Sequence, residues 1–249
     1  MRLNADWKGA LLQKCLAPFM SLLKIIFKKS LVAVHCLEAD DGAITKKYGN
    51  NLDYVRNRTL GLLADIVKRD ISEEYAIAEL GVFRGDFSAR IQDEFPDKRI
   101  YLFDTFEGFE KNDRTHDIQS GFSKESTHNK FNFASTSVSE VLNKMSNPDN
   151  VTICKGFFPE SVTEEHKKIK WGLVSLDVDL YKPTLEGLRF FYPSLVGGGY
   201  IMIHDYNSLC FTGVKKAVED FEAEILDKPL VKIPIPDHCG SLIIAKKRV

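Results

Sequence analysis

Leu173-Val174-Ser175-Leu176-Asp177-Val178-Asp179-Leu180-Tyr181 is an apolar run that stops abruptly at two carboxylates and an aromatic ring. A strand buried on both faces of a parallel sheet reads as such a near-continuous run. Ligands in open α/β sheets bind just past the carboxyl ends of such strands. A second run, Gly199-Tyr200-Ile201-Met202-Ile203, ends in the same way at His204-Asp205-Tyr206. Two neighbouring strand ends would then gather Asp177, Asp179, His204 and Asp205 around one small volume, which reads as an active site. Carboxylates and an imidazole that converge suit a divalent metal able to acidify a coordinated hydroxyl. The plainer alternative has Asp177 and Asp205 capping helices and His204 as a satisfied buried side chain. Asp179, just ahead of the Pro183 helix, is equally placed to cap it.

Outward from these strands the chain alternates. Strands are expected at Tyr75–Leu80, Arg99–Phe103 and Val151–Cys154 ahead of the two already quoted. Helices are expected over Leu52–Val67, Asp86–Phe95, Thr136–Met145, Pro183–Tyr192 and Gly213–Glu224, and Gly197-Gly198-Gly199 is expected to be a sharp turn. Two last strands, around 230–235 and 241–246, are joined by a link short enough for an antiparallel pair. Strands that alternate with helices imply a parallel sheet covered on both faces. Residues 107–132 are polar, with little period, and read as a long lid or substrate loop.

Glu79-Leu80-Gly81-Val82-Phe83-Arg84-Gly85 follows the first strand and opens a helix, and its glycines allow close approach of a ligand to the backbone. It lacks one glycine of the dinucleotide fingerprint, which disfavours a nicotinamide dehydrogenase. Asp104 ends the second strand, where an acid commonly holds ribose hydroxyls. Lys155-Gly156-Phe157-Phe158 follows the third and offers an apolar wall for a base. The elbow of serine hydrolases and the Walker A loop are both absent.

A net charge of −1 gives no field that would favour nucleic acid. Five scattered cysteines without a CxxC pair suggest neither a disulfide framework nor a structural zinc site, and point to a reducing, cytoplasmic setting. Residues 1–50 form a basic extension in which Leu12, Leu16, Phe19, Leu23 and Ile26 make one helical stripe interrupted by Pro18. Its uncharged stretch is too short for a membrane span. A helix packed on the domain or on a second subunit is the first reading, and a basic helix lying on a membrane surface the second.

In order along the chain, the Glu79–Gly85 motif is followed by Phe103-Asp104-Thr105-Phe106-Glu107-Gly108-Phe109, by Lys155-Gly156-Phe157-Phe158-Pro159-Glu160-Ser161 and by Leu176-Asp177-Val178-Asp179-Leu180-Tyr181-Lys182-Pro183-Thr184. Tyr192-Pro193-Ser194-Leu195, Gly198-Gly199-Tyr200-Ile201 and His204-Asp205-Tyr206 complete the series, which resembles the macrocin O-methyltransferase family over about residues 56–246. The resemblance implies a Rossmann-like, seven-stranded class I methyltransferase domain over residues 51–249, mostly parallel with a C-terminal antiparallel pair. It also implies S-adenosylmethionine as cofactor and a sugar hydroxyl of a glycan, glycolipid or glycosylated metabolite as acceptor. Glu79 and Gly81 would line the methionine end of the cofactor, Asp104 with Thr105 would hold the ribose, and Gly156 with Phe157 would flank the base. Arg58 and Thr59 match a pair that closes over the cofactor. Asp177 matches a metal-binding catalytic carboxylate, and His204 with Asp205 matches the Asp-Asp pair that completes a magnesium site. Histidine in place of the first aspartate leaves two versions, a nitrogen-tolerant ion such as manganese or a metal-free His204 base. A phenolic acceptor and a non-catalytic cofactor-binding module are the alternatives in function.

Overall fold

The computed structural model describes residues 53–131, 133–225 and 229–248; the expectations for the basic N-terminal extension lie outside them. Among the described residues fourteen helices and strands follow one another, numbered here in chain order apart from two 3₁₀ turns. They are α1 Tyr54–Asp70, β1 Ala76–Leu80, α2 Asp86–Glu94, β2 Ile100–Asp104, α3 Lys111–Gln119, α4 Glu125–Lys130, α5 Val138–Lys144, β3 Val151–Lys155, β4 Trp171–Leu176, α6 Tyr181–Ser194, β5 Leu195–Ile203, α7 Gly213–Glu224, β6 Val231–Pro234 and β7 Leu242–Ala245. The seven strands form one sheet in the order β3-β2-β1-β4-β5-β7-β6. The first five are parallel, and β7 runs antiparallel to both β5 and β6.

Every residue of β1 and of β4 is buried, which is why both read as unbroken apolar runs. Alternate side chains feed two cores. Ala76, Ala78, Leu80, Val174 and Leu176 pack with Leu188, Phe191, Val214 and Phe221 of α6 and α7. Ile77, Leu173 and Met202 face Leu60, Leu63, Val67 and Ile91 of α1 and α2 on the other side. Chain order reverses between β1 and β4, and that switch point is where an open α/β sheet leaves a crevice.

Two expectations change. Residues 107–132 hold two short helices rather than a structureless loop. They bury polar groups, Asp113, Asp117 and His128, in place of an apolar stripe, and so show no helical period. Glu110 caps α3 by accepting from the amides of Asn112 and Asp113, and the Asp117 carboxylate accepts the Tyr181 amide at 3.2 Å. That last bond, and not Asp179, satisfies the start of α6. The triple glycine is likewise not a turn before β5 but part of it. The register with β4 slips between Trp171↔Leu195 and Leu173↔Tyr200, so the glycines form an irregularity inside the strand.

Gly81 is the tightest point of the crevice. It has φ +87°, and a Cβ there would lie 1.9 Å from the Asp177 carbonyl oxygen. Gly81→Ala should therefore cost at least about 2 kcal/mol, from the left-handed backbone and the overlap together. The drop is read as a lower denaturant midpoint at unchanged slope; an unchanged midpoint would show that the β1–β4 junction is looser than described.

Candidate active site at the β1–β4 junction

Glu79, at the end of β1, points into the α1/α2 side of the sheet and is 1% exposed. Ser88 of α2 donates to its carboxylate. Burial pushes the Glu79 carboxyl up to about 8, against the smaller opposing pull of Ser88 and Arg56. Beyond Gly81 the chain turns back over β2, where Asp104 organises the loop. One oxygen of Asp104 accepts from the amides of Val82 at 2.6 Å and Phe83 at 3.0 Å, and the other accepts from Phe106 at 2.6 Å. A carboxylate offers about four lone-pair directions, so Asp104 keeps room for one further donor. The Thr105 hydroxyl is used within its own turn, donating to the Gly108 carbonyl at 2.8 Å and accepting from the Glu107 amide. After β3, Gly156 (φ +142°) donates its amide to the Asp104 carbonyl at 3.0 Å, tying the two loops together. Phe157 lines a cavity of about 680 Å³ with Phe158, Pro159 and, from α6, Leu185 and Arg189; the acidic cluster of β4 and β5 does not line it.

That cluster lies at the ends of β4 and β5, as the apolar runs indicate. Asp177 is held from two sides, by Arg56 Nη1 at 2.9 Å and by His204 Nδ1 at 3.0 Å. His204 Nδ1 also lies 2.5 Å from Asp205. Burial disfavours the Asp177 anion, but His204 and Arg56 more than offset it and hold the carboxyl well below its usual range. Burial also disfavours the imidazolium, and Asp177 and Asp205 outweigh it and raise His204. In this arrangement Nδ1 of the imidazole faces two carboxylates at once. Asp179 shows the opposite behaviour. Burial first, then the nearby Asp205 and Asp177, raise its carboxyl well above the ordinary value. Asp179 and Asp205 both take left-handed backbone conformations, φ +59° and +57°, of a kind that persists only where surrounding structure enforces it.

Two donor sets with one ligand atom per residue, all within 4.8 Å of one another, share Asp205. Asp177, Asp179 and Asp205 make an all-oxygen set, and His204, Asp205 and Cys239 make a mixed one. The oxygen set fits a hard divalent ion.

Of the expected residues, Glu79, Gly81, Asp104 and Gly156 meet around the crevice, and Asp177, His204 and Asp205 meet in the cluster. Arg58 does not share that position. It is exposed and lies about 200° round α1 from Arg56, at roughly 100° per residue. Arg56 is the residue of α1 that reaches Asp177, with its guanidinium 3.8 Å over the Phe87 ring. A signal for it was present, because the buried stripe Leu60, Leu63, Val67 extends back by one turn to position 56. Thr59 is half-buried on the same helix. Ser88 and Cys239 carried no such signal.

The profile of the macrocin-O-methyltransferase (TylF) family matches residues 54–239. Demethyldecarbamoylnovobiocin O-methyltransferase of Streptomyces niveus is 26% identical over 157 residues, 59% of this chain and 58% of its own length, so the chain spans less than two thirds of that relative. Among solved structures, the O-methyltransferase NovP superposes with a TM-score of 0.59 at 20% identity, over 78% of this chain and 81% of its own. The calicheamicin methyltransferase CalS11 gives 0.55 at 19%, over 85% and 94%. Its unliganded structure, described as a TDP-rhamnose 3′-O-methyltransferase, gives 0.50 at 17%, over 91% and 92%. At these identities the structures establish the seven-stranded methyltransferase fold, and the profile match across most of the chain makes it a member of the macrocin-O-methyltransferase family.

Proposed function

We propose that this chain is an S-adenosylmethionine-dependent O-methyltransferase whose acceptor is a sugar hydroxyl in a glycan, a glycolipid or a glycosylated metabolite. Family membership and the printed activities of the novobiocin and calicheamicin relatives support the reaction class. The observation that carries the reading is the carboxylate cluster of Asp177, Asp179 and Asp205 across the crevice from the Gly81 loop. Binding a nucleotide-type cofactor alone would not call for three converging carboxylates.

When bound, the cofactor supplies an electrophilic methyl group on a positively charged sulfonium. Glu79 fits its cationic methionine end, being a buried carboxyl that lacks a full countercharge and stays protonated until one arrives. Gly81 lets the backbone approach, Asp104 has one lone pair left for a ribose hydroxyl, and Phe157 offers an apolar face. Arg58 and Thr59 stand at the same end of α1 as Arg56, as closing residues over the cofactor. Asp177, the ionised carboxylate, takes up the acceptor hydroxyl's proton, leaving the oxygen nucleophilic. His204 and Arg56 hold Asp177 in place. A divalent ion on the oxygen set, magnesium or manganese, would acidify that hydroxyl further. The residues fit such an ion because the set is all carboxylate and Asp179 is already pressed by its like-charged neighbours.

Asp177→Asn should lower turnover at least about 100-fold, the low end for loss of a positioned base, with cofactor affinity kept within a few-fold by calorimetry. Full turnover in that variant would remove the assignment.

Glu79 gives a pH-dependent expectation. Its folded-state pKa of about 8 exceeds the unfolded value of 4.5. The folded state therefore binds the extra proton between those values, and stability falls as pH rises from about 5 to beyond 8. Glu79→Gln should flatten that decline and overtake wild type above neutrality. Binding of the cationic cofactor should expel the Glu79 proton. Calorimetry at pH 7 in buffers of unequal ionisation enthalpy should then show proton release in wild type and none in Glu79→Gln. Heats independent of buffer in wild type would place the cation elsewhere.

A further inference from the structure

The mixed donor set has a builder of its own. Cys239 belongs to the turn between β6 and β7, far in sequence from β5, yet its sulfur lies within 4.8 Å of ligand atoms of both His204 and Asp205. That turn is clamped in place. Asn207, three residues past His204, donates both its backbone amide and its side-chain amide to the Gly240 carbonyl, at 3.1 and 3.2 Å. Gly240 has φ +66°, and a Cβ on it would lie 2.7 Å from Asn207 Cβ, so the two turns are packed as closely as a glycine allows. The Ser241 amide donates to Asp237 at 2.7 Å, and the His238 amide donates to Asp53, the N-cap of α1. The turn is thus fastened to α1, to itself and to the segment that carries His204 and Asp205. Cys239 is half-buried and free of any disulfide.

We propose that His204, Asp205 and Cys239 form a site for a thiophilic divalent ion of the zinc class, distinct in chemistry from the all-oxygen set beside it. One imidazole, one carboxylate and one thiolate are three protein donors that zinc accepts while keeping a fourth position open. A tetrahedral ion with bonds of about 2.0 Å to nitrogen and oxygen and about 2.3 Å to sulfur holds its donor atoms roughly 3.3–3.6 Å apart. The three atoms already lie within 4.8 Å of one another, so closing on an ion takes side-chain movement only. Magnesium, which favours oxygen, gains nothing from the imidazole or the sulfur. Binding deprotonates the thiol and takes one proton from the His204 imidazolium, and both protons pass to solvent. The site shares Asp205 with the cluster assigned above to methyl transfer and so deepens that reading, but its test does not depend on it.

The full chain is titrated with zinc against a chromogenic chelator, loaded separately with cobalt(II), and compared with Cys239→Ser. Wild type should take up one zinc that excess magnesium does not displace. Its cobalt form should show an intense thiolate-to-metal charge-transfer band. Cys239→Ser should lose that band and bind zinc at least 10-fold more weakly. In wild type, zinc should also slow alkylation of Cys239, followed on its own peptide by mass spectrometry. This last readout needs no variant and no turnover. Equal zinc affinity in Cys239→Ser, a cobalt spectrum without the thiolate band, displacement by magnesium, or alkylation unchanged by zinc would each overturn the site. Zinc bound in this manner by a chain that transfers no methyl group would leave the site standing and remove the methyltransferase reading; the reverse pair of results would remove the zinc site alone.

Discussion

The backbone contact between Gly81 and Asp177 is the constraint on which the rest of the site depends. β1 and β4 are hydrogen-bonded neighbours up to Leu80 and Leu176, and the Asp177 amide still donates to the Leu80 carbonyl at 2.8 Å. Past that bond the two chains must part, one toward α2 and the other toward α6. They can part so late because position 81 has no side chain and adopts a left-handed conformation. The Asp177 carboxylate is delivered in this way to the mouth of the crevice that the Gly81 loop opens. Asp104 then secures that loop through the amides of Val82 and Phe83 and its own turn through the amide of Phe106, so the carboxylate ties the two turns together.

A buried cation and a buried anion are poor stabilisers as a pair, since desolvation offsets their attraction. The arrangement Arg56–Asp177–His204–Asp205 is better understood as orientation. Arg56 lies on the one face of α1 that meets the sheet, stacked on Phe87, and comes at Asp177 from the α1 side of the sheet. His204 comes at it from β5. With both in place the carboxylate has little rotational freedom, which its proposed role at an acceptor hydroxyl would require.

The fold was legible wherever burial was apolar. The runs before Asp177 and His204 are buried on both faces, and their ends mark the cluster correctly because a parallel strand brings whatever follows it to the same edge. Legibility failed where burial was polar. Helices α3 and α4 bury Asp113, Asp117 and His128 and so have no stripe to read. Arg56 carries its signal in its place on the stripe of α1, but an arginine there looks like an interruption until its partner is known. Cys239 was hidden by distance, as a turn residue that meets His204 only through the antiparallel pairing of β7 with β5. Asp179 could be seen at its strand end, but its position between helix cap and cluster member was decided by Asp117, which takes the Tyr181 amide and leaves Asp179 to the cluster.

Charge accounting ties these features together. Three carboxylates, Asp177, Asp179 and Asp205, face two cations, Arg56 and His204. One negative charge is left over among partly buried groups, which is costly. Burial first, and then that crowding of like charges, raise the Asp179 carboxyl. Burial likewise raises Glu79, on the far side of the Gly81 turn. The crevice is therefore short of positive charge on both walls, and a cation seated beside either carboxyl would favour its anion. The cationic cofactor and the divalent ion of the proposed function would each bring the charge that one wall lacks.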